Sequence, residues 1–258
     1  MNSPLTEGTE DNGRWIRRFH PRPDSRVRLV CLPHAGGSAS FYFPLSRAMP
    51  ATVEVLCVQY PGRQDRRTEP LLDSVPALAD QVYEALLPWT DRPLALFGHS
   101  MGASLGYEVA RRLERRRDFV PTALFASGRR APSAYRAETV HLRDDDGLVE
   151  EMRELSGTDP QLLGDEELLR MILPAIRADY RAAETYTWEP GPPLRCPVTS
   201  LIGDDDPKVT RDEAAAWSAH TEGPFALEVF PGGHFFLARH QPEIVRLLTT
   251  GLETPERV

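Results

Sequence analysis

The segment Leu94-Ala95-Leu96-Phe97-Gly98-His99-Ser100-Met101-Gly102-Ala103 constrains the fold more than any other stretch of the chain. Leu94 to Phe97 read as a buried strand. A Gly-x-Ser-x-Gly turn follows at once, then a helix-compatible run from Ser104 to Leu113. Strand, sharp turn and helix in that order are the setting of a nucleophile elbow, where a serine projects from a strained tip. Gly98 and Gly102 suit such a turn because neither carries a Cβ, so strand and helix can approach closely. The five residues alone also fit an ordinary loop. Their meaning depends on whether the rest of the chain supplies a base, an acid and an oxyanion hole.

The pattern around the elbow is α/β. Apolar strand-like runs occur at 27–32, 53–58, 94–97, 122–127, 198–203 and 225–230. Helical runs lie between them at about 41–48, 75–87 and 211–220, and a closing helix is expected over 241–252. Strands alternating with helices imply a mostly parallel sheet with right-handed crossovers. A length of 258 residues suits one large domain with a substantial core. Alternation stops near Arg129 and resumes after Pro193. That stretch shows helical patterns at 147–155 and 166–184, the second interrupted at Pro174. We therefore expect one domain over 1–258 with a helical insertion, about 129–193, over the C-terminal edge of the sheet. Its position suits a lid; a purely structural cap is the alternative. Residues 1–25 contain Pro4, Gly8, Gly13, Pro21 and Pro23 and read as a loose arm, with Trp15, Ile16 and Phe19 available to pin part of it.

In an open parallel sheet the loops at the carboxyl ends of the strands carry the site. Four such loops hold suggestive residues: Ala35-Gly36-Gly37, Ser100, the aspartates 204–206, and His234. A serine hydroxyl needs a base to act as a nucleophile near neutral pH. Among seven histidines His234 is best placed, after the last strand and two glycines. His220 and His240 read as surface residues, His99 as a packing residue of the elbow, and His34 as an organiser of the glycine-rich turn. A carboxylate must fix the imidazole tautomer. Asp204, Asp205 and Asp206 all follow a strand; Asp206 precedes Pro207 and is biased to extended backbone, but local pattern leaves the choice open. Oxyanion donors are expected at the backbone N–H of Met101, the residue after the serine, and of Ala35. The chain order Ser, Asp, His is that of the α/β-hydrolase fold.

Composition narrows the classes. A net charge of −8 argues against a nucleic-acid binder. No apolar run approaches the roughly 20 residues that a membrane helix needs. The segment Met1 to Asn12 is polar and acidic, so a cytoplasmic protein is expected. Cys31, Cys57 and Cys196 are read as buried small hydrophobes, and no Cys/His spacing resembles a metal site. Lys208 is the only lysine. The arginines at 111, 112, 115, 116 and 117 read as a solvated helix face. A docking surface for an acidic partner, formed there or at Arg63, Arg66 and Arg67, is the alternative.

Four segments together are specific: Leu32-Pro33-His34-Ala35-Gly36-Gly37, Gln59-Tyr60-Pro61-Gly62-Arg63, Phe97-Gly98-His99-Ser100-Met101-Gly102 and Gly232-Gly233-His234-Phe235-Phe236. Over about Trp15 to Leu252 the sequence resembles the type II thioesterases of polyketide and nonribosomal peptide biosynthesis. The resemblance implies an α/β-hydrolase fold with helices on both faces of the sheet and a helical lid. It implies a Ser100–His234–Asp206 triad, with oxyanion donors at Ala35 and Met101 and no cofactor or metal. The implied activity is that of a stand-alone editing enzyme. It would hydrolyse unproductive acyl groups from the phosphopantetheine arm of acyl or peptidyl carrier proteins, with no nucleic-acid or membrane partner. Nothing demands more than a monomer. A general carboxylesterase or lipase on free esters, and an inactive hydrolase fold used as a binding module, are the rival expectations.

Overall fold

A computed structural model describes residues 13–155 and 165–252. Positions 1–12, which include Pro4 and Gly8 of the expected arm, and 156–164 within the expected lid lie outside the described residues. Seven strands form one sheet: β1 (Ile16–Arg17), β2 (Val27–Leu32), β3 (Val53–Val58), β4 (Leu94–His99), β5 (Leu124–Ser127), β6 (Val198–Gly203) and β7 (Phe225–Phe230). Their order is β1-β3-β2-β4-β5-β6-β7. β1 is antiparallel to β3 and every other pairing is parallel. The helices are α1 (Phe43–Ala48), α2 (Val75–Leu86), α3 (Met101–Arg117), α4 (Asp145–Leu155), α5 (Glu166–Glu184), α6 (Arg211–Ala215), α7 (Phe236–Arg239) and α8 (Gln241–Leu252).

The apolar runs are strands because both faces of a parallel sheet are covered. Side chains alternate across a strand, and the core divides accordingly. Val30, Leu32, Leu56, Val58, Leu94 and Leu96 pack on one face, with Leu78 and Val82 of α2 and Leu105 and Val109 of α3. Leu29, Cys31, Val55, Cys57, Ala95 and Phe97 pack on the other, with Leu45 of α1 and Ile244 and Leu248 of α8. The three cysteines are buried in these layers and join no disulfide, as expected. β7, at the sheet edge, alternates between half-buried and exposed positions over most of its length.

Three local differences from the sequence reading have clear causes. Trp15 and Ile16 pin the arm as expected, but they do so through a strand that was not: β1 pairs Ile16 with Val58, Gln59 N–H donates to Trp15 O at 2.8 Å, and the Arg66 guanidinium lies over the Trp15 ring at 4.2 Å. A two-residue strand has too little pattern to read, and its partner strand creates it. α5 runs unbroken through Pro174. Proline removes one intrahelical hydrogen bond, but Pro174 is exposed, while Leu173, Ala175 and Ile176 beside it are buried and hold the helix in register. The expected helix over 211–220 is one α-helical turn, α6, followed by a 3₁₀ segment, Ala216–His220.

Between β5 and β6 the described residues contain helices and no strand. Val140, Leu148, Val149, Met152, Leu173 and Ile176 form a small core of their own, so α4 and α5 support each other, and α5 also lies against α3.

Candidate active site

The register of the sheet builds the site. Leu32 pairs with Gly98 and His99 with Ser127, so the ends of β2, β4 and β5 lie side by side. The strand order reverses between β2 and β4, which opens a crevice at their carboxyl ends. Ser100 occupies the turn there at φ 54°, ψ −118°. This left-handed region is strained for a residue with a Cβ. Two hydrogen bonds help hold it: Ser100 N–H to Ser127 O at 2.8 Å and Ala103 N–H to Ser100 O at 2.9 Å. The flanking glycines are required by contact. A Cβ on Gly98 would lie 2.0 Å from Gly102 O, and one on Gly102 would lie 2.0 Å from Leu32 O. Strand-to-helix backbone contact is therefore the reason for both.

The loops after β6 and β7 are knitted together. Asp204 N–H donates to Phe230 O, Gly232 N–H to the Asp204 carboxylate, and Asp205 N–H to Gly232 O, all at 2.8–3.0 Å. Asp204 and Asp205 are exposed and serve these loops. Asp206 is buried, and its carboxylate oxygens lie 2.9 and 3.0 Å from His234 Nδ1. Lys208 N–H donates to Asp206 Oδ1 at 2.8 Å and fixes that rotamer. A carboxylate accepting at Nδ1 holds the ring proton there and leaves Nε2 as the basic nitrogen. The structure thus separates three aspartates that local pattern left equivalent.

His34 and His99 sit beside His234 and stay neutral. Burial, then the positive potential of His234 and Arg63, lowers His34 to about 3. Burial, then His234, holds His99 well below the usual imidazole range. His99 Nδ1 is 3.0 Å from Ser127 Oγ, in keeping with a packing role. Phe235 edges against all three rings, with centroids 4.8–5.3 Å apart. Neither His34 nor His99 therefore adds a positive charge beside His234 near neutral pH.

Ser100, His234 and Ala35 line one cavity of about 680 Å³, within the range of small-molecule sites. Met152, Leu155, Leu168, Ile172 and Ile176 form an apolar wall from α4 and α5. The expected lid helices therefore border the cavity. Arg67, an exposed side chain, borders it from the loop after β3. Among the described residues no group of three or more His, Cys, Asp or Glu side chains is placed to hold a metal ion, and no helix is long and apolar enough to cross a membrane.

The basic residues singled out from sequence are mostly committed inside the protein. Arg111 and Arg112 pair with the Glu108 carboxylate at 2.7 and 2.6 Å, and Tyr186 Oη donates to it at 2.8 Å. Arg116 pairs with Asp80. Arg115 and Arg117 are exposed in the last turn of α3, where cations favour the helix dipole. That turn lies about 25 Å of helix away from Ser100. Arg63 and Arg66 are likewise paired, with Asp179 and Glu69. His220 is a correction to the surface expectation. It is buried against the Tyr107, Trp188 and Trp217 rings, with Nε2 2.8 Å from Ser133 Oγ. Those partners are distant in sequence, so only the fold reveals them. The Asp179–Arg63 pair was also missed. Its one signal is a carboxylate three residues after Ile176, on the apolar stripe of α5.

Sheet order, elbow and loop-borne residues define a serine-type hydrolase of the α/β-hydrolase fold. The thioesterase domain family matches residues 27–252. The chain is 56% identical over 239 residues to a probable cadicidin biosynthesis thioesterase of Streptomyces griseus, covering 93% of this chain and 66% of that protein. It is 55% identical over 235 residues to the thioesterase PikA5 of Streptomyces venezuelae, covering 91% and 84%. The type II thioesterase BorB from the borrelidin biosynthetic cluster superposes with a TM-score of 0.88 at 52% identity, covering 93% and 98% of the two chains. The chain belongs to the thioesterase family and groups with its type II members.

Proposed function

We propose that this thioesterase removes acyl groups from the phosphopantetheine thiol of acyl or peptidyl carrier proteins through an acyl-Ser100 intermediate. The observation that carries the reading is the shared cavity: Ser100 on its strained turn and the Asp206-paired His234 line one space walled by apolar lid residues. His234 Nε2 takes the Ser100 proton as Oγ attacks the thioester carbonyl. The oxyanion is met by the backbone N–H groups of Ala35 and Met101. Met101 is the first residue of α3, where N–H groups have no partner within the helix and the dipole is positive. The C–S bond breaks and His234 returns its proton to the departing sulfur, an undemanding step for a good leaving group. Water then loses a proton to His234 and attacks the Ser100 ester; His234 returns that proton to Ser100 Oγ as the ester C–O bond breaks, which releases the free acid and restores the serine. The thiol arm belongs to the carrier, and α4 and α5 shield the acyl chain from water.

The test is mass spectrometry of acetyl- and propionyl-carrier proteins incubated with the wild type and with Ser100→Ala. Wild type should return the free thiol and Ser100→Ala should not. If the wild type spares the carriers while cleaving free p-nitrophenyl esters, the protein is a carboxylesterase and the carrier reading falls.

A further inference from the structure

The turn after β2 is held from outside by a buried ion pair with no part in the steps above. Asp179, in the second half of α5, is fully buried. Its Oδ2 accepts from Gly36 N–H at 2.7 Å. Its two oxygens take a bidentate pair from Arg63, at 2.9 Å each, and Arg63 Nη1 also donates to Gly37 O at 3.1 Å. Gly36 has φ +76°, and a Cβ there would lie 3.0 Å from Ile176 Cγ1, one turn before Asp179. One face of α5 thus grips the turn through Ile176 and Asp179, and Arg63 fastens the next residue. Ala35, one residue upstream, lines the cavity beside this fastened turn.

Charge is arranged as well. A bare carboxylate beside a developing oxyanion would oppose it, and the Arg63 guanidinium balances that charge. Tyr60 and His34 are the other titratable groups facing the pair. Burial raises the Tyr60 phenol well above its usual range, and His34 is neutral above about pH 3, so neither adds charge near neutrality.

We infer that Asp179 and Arg63 are positioning residues of the oxyanion loop: through them α5 sets the direction of the Ala35 N–H, and the lid helix cannot swing at Asp179 without pulling on that loop. The inference rests on the acyl-Ser100 reading. Arginine is the preferred partner for such planar, bidentate pairing. Burial pushes the Asp179 carboxyl above its ordinary range, and Arg63 offsets only part of that, so the ionised pair depends on its counter-ion.

The assay is hydrolysis of p-nitrophenyl acetate, which needs no carrier. Asp179→Ala should lower kcat about 10- to 100-fold, with KM changed less than about threefold. Asp179→Asn keeps an acceptor for Gly36 and should recover most of the loss. Arg63→Met leaves Asp179 buried and unpaired, so its carboxyl titrates at higher pH. That variant should show a new limb in its pH profile, with kcat falling as Asp179 ionises. The double variant Arg63→Met/Asp179→Asn, which leaves no buried charge, should lack the limb and serves if Asp179→Ala does not fold. Ser100→Ala separates the two levels: if it still turns over, the acyl-Ser100 reading is wrong. If Ser100→Ala is inactive but Asp179→Ala keeps its kcat, or Arg63→Met keeps the wild-type pH profile, the positioning role is overturned.

Discussion

Replacing Gly102 by alanine tests the packing argument for the elbow directly. The new Cβ would lie 2.0 Å from Leu32 O and 2.7 Å from Pro33 O, where ordinary contact begins at 3.4 Å. Both obstacles are backbone at the end of β2, so no rotamer change relieves them. α3 would have to part from β2 by about 1 Å. A displacement of that size at reacting atoms costs on the order of 100-fold in rate, and overpacking a core costs about 1–3 kcal/mol. Gly106 is the control. It lies one turn further along α3, and the atoms nearest a Cβ there are all side-chain carbons: Leu124 Cδ1 at 3.2 Å, Leu32 Cδ1 at 3.5 Å and Leu96 Cβ at 4.0 Å. Side-chain adjustment and the roughly 1 kcal/mol helix-propensity gain of alanine should leave Gly106→Ala near wild type. The assays are kcat/KM on p-nitrophenyl acetate and urea denaturation. Wild-type turnover in Gly102→Ala, or equal damage in Gly106→Ala, would refute the close-approach account.

Two further outcomes follow from the loops and the buried imidazoles. Asp206→Asn should lower kcat about 10³- to 10⁴-fold through loss of the correct His234 tautomer, while Asp204→Asn, which keeps an acceptor for Gly232 N–H, should stay within a few-fold; the reverse pattern would reassign the acid. His34 binds its proton at about 3 in the folded protein and near 6.5 when unfolded, so the unfolded state takes up more protons over that interval. Stability is therefore full above pH 6.5 and falls as the pH drops toward 3, with about 2–3 kcal/mol lost from this group between pH 7.5 and 4.5. Urea denaturation at both pH values should show a smaller loss in His34→Phe, and an unchanged loss would show that His34 is not the source.

Much of the fold is legible in the sequence because a parallel sheet covered on both faces demands continuous apolar strands. The runs at 27–32, 53–58, 198–203 and 225–230 coincide with β2, β3, β6 and β7. Elements whose stability comes from a partner were not legible. β1 exists because β3 offers it an edge. α5 passes Pro174 because its other face is buried. The arginines of α3 read as one solvated stripe, yet Glu108 and Asp80 engage three of them.

By itself the sequence determined the strand–turn–helix at Ser100, the order of the loop residues after it, and the resemblance that those motifs carry. These are local properties, fixed by side-chain size, backbone freedom and spacing along the chain. Tertiary structure decided which aspartate meets His234, since Asp206 is buried against the imidazole while Asp204 and Asp205 are exposed. It also decided that Asp179, nearly 80 residues beyond Ser100, grips the turn bearing Ala35. Both are contacts between segments far apart in the chain. They arise from register and packing, which no local pattern encodes.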